Sequence, residues 1–298
     1  MKTFFDCIPC FVRQALDSVR LVTDDESVHE KLLREVLRSA AEMDLRQTPP
    51  EMGQYIHRLI RRITGQADPY RQAKERFTRL ALELYPGMRE RIERSDDPLD
   101  TAVRLAIAGN VIDMGVNSHL TEADVHQAVL HSLTAPFDGD LRELACAVRD
   151  ARDILYLADN AGEIVFDRLL IEQMPAAKVT LVVKGSPVIN DATMADAEAA
   201  GVTDLVETID NGSDAPGTIL HQCSETFQRR FAEADLVIAK GQGNYETLSE
   251  AEKDIFFVLK AKCPVIAAHL GCRVGSLVLR RAVCEPAGGA KGKDLAEI

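Results

Sequence analysis

Residues 154–163 read ILYLADNAGE: an apolar run that breaks into Asp-Asn, a small residue, a glycine and a glutamate. IVFDRLLIEQM follows at residues 164–174 with helical spacing. A short buried strand that passes through a polar turn into a helix is the first half of a βαβ unit, and it decides the fold class. The same handover recurs downstream, where from about Arg152 the runs ILYLA, KVTLVVK, DLVET, DLVIAK and PVIAAHL alternate with helical segments. Each run is closed by polar or Gly-rich residues. This alternation predicts an α/β fold: a doubly wound, Rossmann-like, mostly parallel sheet with helices on both faces. VGSLVLRR (274–281) is expected to add a late edge strand.

Upstream the pattern differs. From Phe4 to about Asp150 apolar residues recur at helical spacing, as in CFVRQALDSVRLV, HEKLLREVLRSAAEM, MGQYIHRLIRRI, RFTRLALELYPGM and DTAVRLAIAGNVIDMG. These are amphipathic helices broken by Pro, Gly and Asp, with little strand character. The expected division is a helical bundle domain over 1–150, an α/β domain over 151–281, and a flexible Gly/Ala/Lys-rich tail over 282–298. There is no internal repeat.

Composition narrows the function classes. The 298 residues are 46% hydrophobic and 28% charged, as in a soluble globular protein long enough for two domains. A net charge of -12 argues against a general nucleic-acid binder, which needs excess Lys and Arg, and is compatible with divalent cations. No apolar run approaches the roughly 20 residues needed to span a bilayer, and MKTFFDCIPCFVRQ does not read as a signal peptide, so a cytoplasmic location is expected. Seven irregularly spaced cysteines do not form a disulfide framework. The oligomeric state is not encoded in any pattern of the chain.

In an open parallel sheet, ligands bind outside the carboxyl ends of the strands. Three strand ends stand out there: Asp159-Asn160-Ala161-Gly162-Glu163, Lys184 to Asp191, and Lys240-Gly241-Gln242-Gly243-Asn244-Tyr245-Glu246. Asp159 and Asp191 are 32 positions apart, the length of one βαβ unit, so both can lie at the same sheet edge. Each Asp-Asn pair taken singly is most simply a helix N-cap. Three successive strand ends with acid-plus-amide clusters exceed what capping needs. Asp and Asn oxygens suit Mg²⁺ or Mn²⁺, Lys184 and Lys240 can neutralise phosphoryl oxygens, and the Gly241–Gly243 loop can bring backbone N–H groups close to them. The residues thus point to metal-assisted phosphate chemistry. A dinucleotide-fold reading of GQGNYE is weak, because Glu246 stands at the third glycine position.

DNAGE (159–163), KGSPVIND (184–191) and KGQGNYE (240–246), in this order behind a helical segment, resemble the metal-dependent damage-control phosphatases, a family long catalogued as a domain of unknown function. Cys7-Ile8-Pro9-Cys10, GNVIDMG (109–115) and LKAKCPVIA (259–267) resemble its stand-alone, CxxC-containing prokaryotic branch, and the likeness covers about residues 4–281. The resemblance implies a divalent-metal-dependent phosphatase acting on small phosphorylated metabolites: sugar phosphates, damaged cofactor precursors or nucleotides. Its metal triad falls on Asp159, Asn160 and Asp191, with Mn²⁺, Co²⁺, Ni²⁺ or Mg²⁺ as the cation. In that scheme Lys184 and Lys240 hold the phosphoryl oxygens and Glu163 or Glu246 orients the water. An aspartyl-phosphate route remains open beside direct attack by water.

Asn110 and Asp113 lie three apart, on one helical face, and are candidates for reaching the substrate, although helix capping explains them as well. Cys7 and Cys10 lack the further ligands of a zinc site and the strand that precedes a redox dithiol. None of the seven histidines shows metal-binding spacing, and no Gly-x-Ser-x-Gly elbow occurs. Two other classes are compatible with the pattern: a Rossmann-like transferase such as a methyltransferase, and a non-catalytic metal- or metabolite-binding protein.

Overall fold

The structure, a computed structural model, describes residues 1–109 and 122–282. Six helices come first: α1 (Cys7–Arg20), α2 (Glu26–Glu42), α3 (Pro49–Thr64), α4 (Arg71–Glu93), α5 (Pro98–Gly109) and α6 (Glu122–Thr134). Local chemistry sets their ends. α3 opens on a Thr48–Glu51 capping box with proline in its first turn and closes on Gly65 at φ 72°. The apolar stripes of α1, α2 and α3, including Phe11, Val19, Leu32, Val36, Ile56 and Ile60, pack together in a cluster of their own. α4 and α5 do something else. Phe77, Ala81, Ala102, Val103 and residues 105–108 join the core beneath the sheet, so no boundary in packing separates them from the α/β part.

The sheet follows: β1 (Phe137–Asp138), α7 (Leu141–Asp150), β2 (Ile154–Leu157), α8 (Ile164–Ile171), β3 (Val179–Val183), α9 (Met194–Ala199), β4 (Glu207–Asp210) and α10 (Glu225–Glu233). It is completed by β5 (Leu236–Lys240), α11 (Gly241–Leu248), β6 (Ile255–Lys260), α12 (Pro264–Leu270) and β7 (Leu277–Ala282). The seven strands are ordered β1-β7-β6-β5-β2-β3-β4. All pairs are parallel except β6 with β7.

Because both faces are covered, strand side chains alternate between two apolar cores instead of between oil and water. Tyr156, Leu181, Ile238 and Phe256 face the core shared with α4, α5 and α8. Leu155, Leu157, Val237, Phe257 and Leu259 face the opposite core with Phe227, Tyr245 and Ile266. The fold is therefore a doubly wound, mostly parallel sheet with helices on both faces.

Two strand expectations need correction. PVIAAHL is the helix α12, started by Pro264 in its first turn and stopped by Gly271 at φ 71°. A seven-residue run that is apolar but for His269 fits either period, and its buried positions Ile266, Ala267 and Leu270 are helically spaced. The strand of this region is IFFVLK, which is β6. VGSLVLRR does supply β7, but β7 lies between β6 and the two-residue β1, so it is not the edge.

The chain leaves β2 toward β3 and β4, then returns to lay β5 and β6 on the other flank of β2. Strand order reverses between β2 and β5, which opens a crevice at their carboxyl ends. Leu157 pairs with Ala239, so Asp159 and Gly241 emerge side by side at that point.

Candidate active site

Capping does not account for the Asp-Asn pairs. The N-cap of α8 is Glu163, with no side-chain cap bond, and α9 is capped by the Thr193–Asp196 box. The two pairs are stitched to each other instead. Ala161 N donates to Asn190 O at 2.9 Å and Ala192 N to Asp159 O at 2.8 Å, so Asn160 and Asp191 form an isolated antiparallel bridge. Just before it, Ile189 holds φ 44°, a left-handed conformation that costs a β-branched residue of order 1–3 kcal/mol and marks functional loops.

Asp159, Asn160, Asn190 and Asp191 are all buried at this junction. Asn160 Nδ2 donates to Asp159 Oδ2 at 3.0 Å and to Glu163 Oε2 at 2.9 Å, which uses both amide hydrogens. Gly241 closes the other side. It sits at φ 77°, and a Cβ there would lie 1.9 Å from Asp159 Oδ2, so the Asp159 carboxylate occupies space that only glycine leaves open.

Lys184 is buried, donates to Gly217 O and lies 3.5 Å from Asp191 Oδ2. Lys240 is fully buried, below the crevice instead of at its mouth. Its ammonium donates to Glu163 Oε1 and Asp167 Oδ1 at 2.5 Å each and to Ala106 O at 3.0 Å, which uses all three N–H groups. Burial alone would push Lys240 down, but the charges of Asp167 and Glu163 hold it above its usual range. Burial pushes Asp167 up to about 7 against the pull of Lys240.

The donor set suits a hard or borderline cation: two carboxylates and an amide whose nitrogen is already engaged. Asp159, Glu163, Asp167 and Asp191 are buried in this region together with Lys184 and Lys240. Buried Asn190 Oδ1 has no hydrogen-bond partner among the described residues. No group of three or more His, Cys, Asp or Glu side chains among the described residues is placed to hold a metal, so a cation held here would need a ligand of another type, such as the Asn160 amide.

The Damage-control phosphatase ARMT1-like domain matches residues 3–278. The chain belongs to this family. It is 36% identical over 284 residues to a damage-control phosphatase of Archaeoglobus fulgidus, covering 92% of this chain and 97% of that one. An uncharacterized protein of Methanocaldococcus jannaschii is 38% identical over 287 residues, covering 92% and 93%. A crystal structure of a DUF89 family protein from Pyrococcus horikoshii superposes with a TM-score of 0.85 at 34% identity, over 94% of this chain and 99% of that one.

In this damage-control phosphatase family member, the remaining sequence-selected residues fall in three places. Asn244 is buried in the framework: its amide donates to Lys240 O at 2.7 Å and accepts from Thr218 Oγ1 at 2.7 Å, tying α11 to neighbouring loops. Gly243 packs against the backbone of Gly217. Glu246 has Gln242, Lys262, the amino terminus and the Cys7–Cys10 turn as neighbours, with none of the triad among them, and burial pushes it up to about 7. Asn110 and Asp113 lie outside the described residues.

Other features gave little signal in the sequence. Asp167 takes a hydrogen bond from Tyr156 at 2.8 Å, and its only clue was a charge inside the apolar IVFDRLLI. From α3, Gln54, Arg58 and Arg61 converge on Asp214, while Arg61 also holds Pro187 O at 2.7 Å. This clamp ties the helical segment to the loop that carries Asn190 and Asp191. No helix among the described residues is long and apolar enough to cross a membrane.

Proposed function

We propose that the crevice between β2 and β5 is the active site of a divalent-metal-dependent phosphatase for small phosphorylated metabolites: sugar phosphates, nucleotides or damaged cofactor precursors. The observation that carries this is the stitched Asp159-Asn160 and Asn190-Asp191 junction, whose side chains are not spent on caps. Asp159, Asp191 and the Asn160 carbonyl oxygen would hold Mn²⁺, Co²⁺, Ni²⁺ or Mg²⁺. When bound, such an ion offsets charge developing on the phosphoryl group and lowers the pKa of a coordinated water.

The rest is work of the chain itself. Lys184 forms an ion pair with Asp191 and donates to Gly217 O, which leaves N–H groups for a phosphoryl oxygen. α11 begins at Gly241, beside Asp159, so the positive end of its dipole and its first free N–H groups face the same crevice. A transferase with a nucleotide-bearing cofactor would want an open glycine loop after β2. Gly162 instead packs against Phe77, where a Cβ would come within 3.0 Å of the Phe77 side chain.

The test is phosphate release from a panel of sugar and nucleotide phosphates, first with chelator and then with each cation. Chelator-sensitive turnover that disappears in Asp159→Ala and Asp191→Ala is expected. Silence of the wild-type protein on every substrate and cation would overturn the proposal in favour of a non-catalytic binding protein.

A further inference from the structure

We propose that Glu163, Lys240 and Asp167 form a positioning unit that sets which end of the Asn160 amide faces the crevice, so that oxygen and not nitrogen is offered to the cation. The inference rests on the metal reading of the site. The two ends of an amide are nearly the same size and differ in charge, so packing alone does not choose between them. A flipped Asn160 would turn N–H groups toward a cation.

Hydrogen bonding makes the choice. Nδ2 is flanked by two acceptors, Asp159 Oδ2 at 3.0 Å and Glu163 Oε2 at 2.9 Å, and the other end of the amide is left for the site. Glu163 can do this only if its other oxygen is held in place. Lys240 holds Oε1 at 2.5 Å, is itself held by Asp167 Oδ1 and Ala106 O, and Asp167 is held by Tyr156. Glu163 and Asp167 stand one turn apart on α8, Lys240 ends β5, Tyr156 is in β2 and Ala106 in α5. Four elements therefore fix one amide.

Glu163, Asp167 and Lys240 are each 0% exposed, so none of them reaches a substrate in the crevice. A buried ion network is also a poor way to gain stability, because desolvation consumes most of the attraction. Residues that hydrogen-bond a metal ligand in this way orient it, and losing one typically weakens metal binding by roughly 10- to 100-fold.

Glu163→Gln tests the idea at a single atom. The new carboxamide turns its oxygen to the Lys240 ammonium, which leaves its NH₂ facing Asn160 Nδ2 and drives the Asn160 amide to flip. Two readouts apply. The side-chain amide resonances of Asn160 in the metal-free protein, assigned by their absence in Asn160→Asp, are expected to move and lose protection from solvent exchange. The Mn²⁺ dissociation constant by calorimetry is expected to rise roughly 10- to 100-fold.

Asp167→Asn, measured at about pH 8.5 where Asp167, lifted by burial to about 7, is ionised, is the charge control. It removes a neighbouring charge but keeps Glu163 and leaves an Asn oxygen to accept from Lys240, so a purely electrostatic effect would weaken Mn²⁺ binding as much as Glu163→Gln does, whereas positioning predicts a much smaller change. Unmoved resonances, or an equal loss of affinity in the two variants, would overturn the proposal. Should Glu163→Gln not fold, the wild-type protein still decides: rapidly exchanging Asn160 amide protons would refute the hydrogen bonds on which the unit depends. A wild-type protein that binds no divalent cation would sink the metal reading, while the resonances would still report separately on the orientation of Asn160.

Discussion

Gly241→Ala is the sharpest probe of where the chemistry sits, since a single methyl group enters the site. Gly241 has φ 77°, and an alanine there pays about 1–2 kcal/mol for the left-handed backbone. The methyl also lands 1.9 Å from Asp159 Oδ2 and 2.2 Å from its Cγ. A carbon–oxygen contact settles near 3.3 Å or more, so the carboxylate has to move by over about 1 Å. A misplacement of about 1 Å in a reacting constellation costs roughly 100-fold in rate.

Gly271 supplies the matched control. Its φ is 71° and a Cβ there meets nothing within 4 Å, so Gly271→Ala carries the backbone cost without the clash. The backbone cost alone should lower the melting temperature of both variants by about 2–8 °C, from 2–4 °C per kcal/mol in a chain of this size, and the clash adds to it in Gly241→Ala only. Only Gly241→Ala should lose phosphate release by roughly 100-fold, with weaker Mn²⁺ binding alongside. Activity of Gly241→Ala within twofold of Gly271→Ala would show that Asp159 is not pinned at the reacting centre, and the reasoning from the β2/β5 crevice would fail.

Two further outcomes follow from groups around the site. Burial would raise the Asp214 carboxyl, yet hydrogen bonds from Arg58 and Gln54 hold it at about 2. Set against an ordinary value near 3.8, that depression is worth roughly 2 kcal/mol, present above pH 4 and lost as pH falls toward 2. Asp214→Ala should therefore cost about that much in urea melts at pH 7 and little at pH 2; an equal deficit at both would refute the clamp. Burial and the charges of Cys263 and Glu246 push the exposed Cys10 thiol up, so its alkylation at pH 7 should be slower than that of a free cysteine model compound. Faster alkylation would contradict the placement of Glu246 beside it.

How far the sequence discloses the site depends on which physical level each residue answers to. ILYLA, KVTLVV and DLVIAK are recognisable because a strand buried on both faces must be continuously apolar, and from strand ends the crevice follows by topology. PVIAAHL misleads because so short a run, apolar but for His269, fits either period, and the proline that decides it acts on backbone geometry. Asp159, Asn160 and Asp191 are legible as a group because three strand ends share one chemistry. Lys240 is legible in kind but not in place. A lysine after a strand reads as a solvated charge, and nothing in the chain order says that Glu163 and Asp167 will descend from α8 to meet it. Asp167 itself shows only as a charge beside Arg168 within an otherwise apolar helix.

The buried charges allow one more prediction, with a sign that a merely structural site would not give. Four carboxylates, Asp159, Glu163, Asp167 and Asp191, share the junction with two ammonium groups, Lys184 and Lys240, among the described residues. The Asn160–Asp191 bridge brings the Asp159 and Asp191 segments together, and like charges gathered at one junction work against the fold. Neutralising one of them by Asp159→Asn should leave the metal-free protein at least as stable as wild type. The same change should remove the gain from added Mn²⁺. A site that binds only the native state gains about 2.7 kcal/mol at a hundred times its dissociation constant, or roughly 5–11 °C in a chain of this size. The wild-type melting temperature should thus climb by that amount with Mn²⁺ while Asp159→Asn stays level. If Asp159→Asn is instead several degrees less stable than wild type in chelator, the carboxylate serves the fold through its hydrogen bond with Asn160, and the charge argument for a cation at this junction is lost.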